Sequence, residues 1–153
     1  MKKYKRRDVE KAIVMALRDL GGSASRKQIR RTIAENENDG LTYEGVYYKK
    51  KAKTGMYSPF LFDFNFGLKN LYSVGYVEEL KRNQDVVLTD LGRSADLTNY
   101  PSKEQQRIIA AYWDKKNALR AERNKAKKLA NDQKEEAVDS NDEQDSADSD
   151  WKT

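Results

Sequence analysis

Four lysines fall within five positions in the run Tyr47-Tyr48-Lys49-Lys50-Lys51-Ala52-Lys53. Their ammonium groups suit the neutralisation of phosphates. The flanking tyrosines add hydroxyl donors, or rings on which an unpaired base can stack. The plainer reading of the same run is a surface loop with its tyrosines tucked into the core. A second basic set, Arg26, Lys27, Arg30 and Arg31, lies on what reads as a helix, where the first pair is well placed to cross a nucleic-acid backbone. The turn Lys81-Arg82-Asn83 either enters a minor groove or solubilises a hairpin. Lys69, Asn70 and Ser73 share one side of a helical run. Asparagine can bond adenine at two points and lysine can reach guanine, or the three simply face solvent. Lys2, Lys3, Lys5, Arg6 and Arg7 offer a further basic arm.

One pattern imitates an enzyme. Asp63 followed by Glu79-Leu80-Lys81 has the D…E-x-K form of metal-dependent nucleases. That chemistry needs two carboxylates on a metal and a lysine near the attacking water, with the acids on adjacent strands. Here Asp63 reads as helical and only a short hairpin follows, so no catalytic residue is expected. The chain has no cysteine and no histidine. This excludes disulfides, thiolate chemistry, ordinary zinc sites and histidine-based catalysis. No Gly-rich phosphate loop, serine triad or calcium loop is present. No cofactor and no metal are expected. No run approaches the apolar length of a membrane span, so no membrane partner is expected and a reducing cytoplasm is the natural compartment.

The net charge of +5 over 153 residues hides an asymmetry. Residues 132–153 carry nine acidic and two basic side chains, a net −7; the remaining residues carry 28 basic and 16 acidic, a net +12. A basic body points to a polyanionic partner, with double-stranded DNA the expectation. The tail is either a solubilising segment or an internal competitor for the basic body.

The elements that must position these residues follow from periodicity. Val9, Ile13, Ala16, Leu17 and Leu20 mark one face of a helix over residues 8–20, closed by Gly21-Gly22. Ser23-Ala24 is long enough for a single bridge of strand. Ser25 and Gln28 have capping-box spacing and start a second helix, running to about residue 35 with Ile29 and Ile33 inside. Residues 36–58 read as the least regular part of the body. Ser58-Pro59 then opens a helix. Phe60, Phe62, Phe64 and Phe66 alternate as a strand would, while Leu61, Phe64, Leu68 and Leu71 recur as a helix would. The helical set continues to Val74, which favours helix and leaves Phe62 and Phe66 in need of a cover, from the tyrosine-rich loop or from the C-terminal helix. Gly75 breaks that helix. Residues 76–80 and 86–88 read as two strands of a hairpin, and Thr89 caps a turn of helix. Ser102 and Gln105 begin a long helix to about residue 131, with its apolar side chains Ile108, Ile109, Tyr112, Trp113 and Leu119 near the front. Residues 132–153 are too polar to form a core and are expected to be disordered.

Three stretches in order resemble the N-terminal domain of Mrr-type restriction proteins. The run Leu20-Gly21-Gly22-Ser23-Ala24-Ser25-Arg26-Lys27-Gln28-Ile29 is similar to its L-G-G-x-A-x-R-K-x-I segment. Phe60, Phe64, Phe66, Gly67, Leu71, Val74, Gly75, Tyr76 and Val77 fall where that domain has F-x-x-x-V-x-W-A-x-x-x-L-x-x-A-G-L-I. Leu88-Thr89-Asp90-Leu91-Gly92-Arg93 looks like its L-T-E-x-G-R exit. The likeness spans roughly residues 5–95, and Phe66-Gly67 departs from the usual Trp-Ala. It implies a DNA-recognition module; the nuclease of that family lies in a separate downstream domain and does not carry over.

The expected architecture is mainly α with a small β-hairpin: a winged helix-turn-helix over residues 1–98, a basic amphipathic C-terminal helix over 99–131 and a disordered acidic tail over 132–153. The expected function is non-enzymatic DNA binding, in transcriptional regulation or beside a restriction or mobile-element system. The alternative is a winged-helix adaptor for protein interaction, or a homodimer formed through Ile108, Ile109, Tyr112 and Trp113 on the C-terminal helix.

Overall fold

In the computed structural model, residues 4–37 and 41–134 are described, with side chains as far as residue 131. Residues 135–153 of the expected disordered tail, and Lys2 and Lys3 of the N-terminal basic arm, lie outside the described residues, while residues 132–134 of that tail are helical.

Helix α1 (Arg6–Asp19) buries Val9, Ile13, Ala16 and Leu17, the face that periodicity marks. Strand β1 (Ser23–Ala24) leads to α2 (Arg26–Asn36), which starts on the expected capping box: Gln28 N donates to Ser25 Oγ at 3.1 Å and Ser25 N to Gln28 Oε1 at 3.0 Å. The stretch expected to be irregular is ordered. It holds a one-turn helix α3 (Tyr43–Tyr47), capped by Thr42, and an antiparallel hairpin of β2 (Lys50–Ala52) and β3 (Gly55–Tyr57).

Helix α4 (Pro59–Ser73) settles the strand-or-helix ambiguity. Its buried stripe is Phe60, Phe64, Leu68 and Leu71; Phe60 stands where the repeat puts Leu61, which is half-buried. The stripe packs chiefly on α1, and the two helices enclose the centre of the core. Gly75, at φ +82°, ends the helix, letting Tyr76 N reach Leu71 O at 2.9 Å.

The wing is shorter than its sequence suggests. Strand β4 (Val86–Val87) pairs with β1, Ser23 opposite Val87 and Ala24 opposite Val86. The outgoing limb contributes a single bridge, Val77 with Leu88, closed by Glu78 N donating to Val87 O at 2.8 Å, and residues 79–80 add no ladder. The turn carbonyls Lys81 O and Gln84 O accept instead from Arg26 Nη1, each at 3.3 Å. The body thus runs α1, β1, α2, α3, the β2–β3 hairpin and α4, mainly helical, before it reaches the wing. Its exit is α5 (Asp90–Ser94), where Thr89 Oγ1 accepts from Gly92 N at 3.0 Å and donates to Gly75 O at 2.6 Å. A Cβ at Gly92 would collide with Tyr76 O, which explains why the L-T-D-L-G exit needs glycine there.

Helix α6 (Lys103–Lys134) lies back on the body through its front half, as its apolar distribution suggests. Trp113 rests on Phe66, centroids 5.0 Å apart, and Tyr112 meets Tyr72 edge-on at 6.3 Å. Phe62 stays exposed at 36%, with Tyr57 of the other candidate meeting only its edge at 5.9 Å. A buried polar chain fixes the dock. Trp113 Nε1 donates to Asn70 Oδ1 at 2.6 Å, and Asn70 Nδ2 donates to Glu10 Oε2 at 2.8 Å. Tyr100 Oη donates to Glu10 Oε1 at 2.5 Å.

Burial raises the Glu10 carboxyl above the ordinary glutamate range, and the hydrogen bonds from Tyr100 and Asn70 and the charge of Arg6 pull it back only in part. A carboxyl whose folded-state pKa exceeds its unfolded value binds its proton more tightly in the native state. Its contribution is therefore fullest below the unfolded value and declines as pH rises through the window between the two. Urea midpoints of the wild type should show that decline, and the Glu10→Gln protein should lack this component. Parallel curves would show that Glu10 titrates alike folded and unfolded. Gly92→Ala should cost about 1–3 kcal/mol of unfolding free energy, since α5 must shift off Tyr76; an unchanged urea midpoint would contradict that.

Candidate nucleic-acid interface

Helix α2 organises the basic surface, though not as its sequence suggests. Arg26 and Arg30 stand one turn apart on the same side of the helix. Both are turned to internal duty. Arg26 holds the wing turn through Lys81 O and Gln84 O. Arg30 Nη2 donates to Val46 O at 3.0 Å and to Ser58 Oγ at 3.1 Å, while its guanidinium lies 4.4 Å from the centre of the Tyr47 ring. Val46 precedes the β2–β3 hairpin and Ser58 follows it, so this one side chain closes the base of the arm. Burial lowers the Arg30 pKa, and the neighbouring Tyr47 acts in the opposite direction; a guanidinium nonetheless stays charged in a protein. The expectation that Arg26 and Arg30 lie open to phosphates is corrected, because Arg26 is drawn onto carbonyls of the wing turn and Arg30 onto acceptors at the root of the arm.

The protrusions carry the open cations. Lys49, Lys50, Lys51 and Lys53 are all exposed on the arm, and none has an ion pair or hydrogen-bonded side-chain partner among the described residues. Lys81 and Arg82 are exposed at the tip of the wing, beside Asn83 in a left-handed conformation at φ +60°. Lys27 is exposed on α2. Arg31 is exposed and 3.9 Å from Glu35, a surface pair of little energetic consequence. The arm and the wing are thus each tied to α2 by one arginine.

Helix α4 does not present the face expected of it. Lys69 and Asn70 are buried, Asn70 with both ends of its carboxamide bonded as above. Ser73 Oγ donates to Asn70 O at 2.6 Å, within its own helix. Trp113 lies over Phe66 on the same side. The reason is α6: its aromatic front half settles on the side of α4 that would otherwise be open. The same contact corrects the idea of one free apolar patch on α6. Tyr112 and Trp113 turn onto the body and Ile109 is half-buried, leaving Ile108 as the more open member at 40% exposure.

Asp63, the acid of the nuclease-like pattern, is buried in α4 and accepts from Arg6 Nε at 3.1 Å. Its charge and a hydrogen bond, after burial itself, also raise the pKa of the Tyr4 hydroxyl. It anchors the start of α1, while Glu79 is exposed on the outgoing limb of the wing. Among the described residues no group of acidic side chains is arranged to hold a metal ion, and no helix is long and apolar enough to cross a membrane.

Sequence reasoning missed the hairpin. Its signal was Lys53-Thr54-Gly55, a short glycine-bearing turn between two tyrosine-containing stretches. The apolar alternation that marks a strand is missing because nearly the whole arm is exposed.

Arg30→Gln should loosen the arm at its root. Amide hydrogens of residues 48–58 should exchange faster than in the wild type, with a loss of stability of about 1–3 kcal/mol for the acceptors left unpaired. Unaltered exchange across 48–58 would rule out the clamp. No protein-family model, curated protein or solved structure matches the chain, so a functional reading rests on its own residues and geometry.

Proposed function

We propose that this protein binds duplex DNA and does no catalysis of its own, as a transcriptional regulator or as an accessory of a restriction or mobile-element system. The observation that carries the reading is the set of open cations on two protrusions tied to α2: the four lysines of the arm, and Lys81 and Arg82 of the wing. The net +12 of residues 1–131 supports it. So does the winged-helix order, which resembles the recognition domain of Mrr-type restriction proteins. A chain without cysteine suits a reducing cytoplasm.

In this reading both protrusions bind phosphates, and Lys27, exposed on α2, adds a further contact. Association releases condensed counterions, so affinity falls steeply as salt rises. Arg30 fixes the arm at its root and Arg26 fixes the wing at its turn, which reduces the ordering cost of each contact.

Binding to mixed-sequence duplexes should weaken linearly in a plot of log affinity against log salt. Replacing Lys49, Lys50, Lys51 and Lys53 together by alanine should weaken retention of mixed-sequence duplexes generally. The slope should flatten by about 0.9 for each phosphate that is no longer neutralised. No retention of duplex by the wild type at low salt would overturn the proposal.

A further inference from the structure

We propose that the β2–β3 arm, rather than α4, enters the major groove and touches base edges; this inference rests on the duplex-binding reading above. A winged helix ordinarily offers its third main helix to the groove. Here the polar side chains that could read bases from α4 are occupied: Asn70 bonds Glu10 and Trp113, and Lys69 is buried. Some other element must make any base contact.

The arm has the dimensions for it. Its strands are three residues each. Two strands about 4.8 Å apart, with their side chains, fit a major groove about 12 Å wide and not a minor groove of about 6 Å. Its two faces differ. Residues directly opposite in an antiparallel pair project to the same side. Lys50 is opposite Tyr57, and Tyr57 packs on Phe62 of α4, so that face is turned to the body. Lys51 is opposite Met56, and that face is turned away, with Met56 61% exposed.

An isolated exposed methionine is ordinary. Met56 stands out because it is paired with Lys51 at the outer face of an arm otherwise lined with cations. A lysine donates to guanine O6 and N7, and an apolar side chain meets the thymine methyl, both features of the major groove. Lys50 and Lys53 are left for the flanking phosphates. The Arg30 clamp on Val46 O and Ser58 Oγ holds the ribbon at a fixed base, as base reading requires.

The test is a selection of bound sequences from duplexes randomised at their centre, run on the full chain and on a Lys51→Ala, Met56→Ala double variant. Both positions are exposed, and thermal unfolding checks that the variant is folded. The wild type should enrich a motif containing guanine and thymine. The variant should still retain duplex but lose those positions. On the enriched duplex, 7-deazaguanine in place of guanine should weaken the wild type by about fivefold or more, and inosine, which lacks only the minor-groove amino group, should not. The inference fails if the variant enriches the wild-type motif, if inosine alone weakens binding, or if the wild type retains duplex without enriching any motif. That last result leaves duplex binding intact, whereas failure of the wild type to retain any duplex removes the underlying reading as well.

Discussion

Asn70 has one carboxamide, and both ends are taken. Its nitrogen donates to Glu10 of α1 and its oxygen accepts from Trp113 of α6. A buried amide with an unmet end costs about 1–3 kcal/mol, so once Asn70 lies between α1 and α6 both partners are required. Glu10 adds a second demand, since a buried carboxylate must be hydrogen-bonded on both oxygens; Tyr100 supplies the other donor. The three helices are therefore locked around one small polar network, and α4 becomes an inner helix. The side of it that a groove-reading helix would show is held beneath Trp113.

That constraint moves any outward-facing chemistry to the loops. Helix α2 is left partly open, with Lys27 exposed, and it reaches the wing and the arm through Arg26 and Arg30. A loop on a scaffold positions its side chains well only if its root is fixed. Arg30 supplies this for the arm, and Arg26 fixes the wing at its turn, each at the cost of its own availability. The lysines beyond them are exposed, without an ion-pair partner among the described residues, and their charge acts at long range and is screened by salt.

Much of the fold was legible because its signals are local. Ser25 with Gln28 and Ser102 with Gln105 mark helix starts, and both boxes form. Gly75 ends α4, and Thr89 to Gly92 builds α5 within a few residues. The demand of Phe62 and Phe66 for a cover was also legible, because two bare rings on one helix face are unfavourable, and Trp113 meets it at Phe66. Less legible was which cations are free. Arg30 and Lys27 look alike in a run of basic residues, but the acceptors of Arg30 lie 16 and 28 positions away. The partners of Asn70 lie 60 and 43 positions away, so nothing near it distinguishes a base-reading asparagine from a structural one. The arm was hidden for the opposite reason. A hairpin with little to bury has no reason to alternate, and its turn glycine is a weak sign by itself.

The two kinds of cation divide along chemical lines. Arg18 Nη2 donates to Gly92 O and Ala95 O, across the body of α5. Arg26 bridges two carbonyls of the wing turn, and Arg30 bridges the ends of the arm. In each case one planar guanidinium gathers two acceptors that the chain brings together at the root, at the turn or across the body of a short element. An ammonium is a compact point charge on a flexible stem, more strongly hydrated and less suited to a fixed pair of acceptors. It is the better group for a mobile contact with phosphate, which needs charge within reach rather than a set geometry. The arm follows this division, carrying lysines alone and taking its fixed base from an arginine on another element. Exchanging the two residue types at Arg30 and Lys51 would therefore keep the net charge while removing the geometry that the arm depends on.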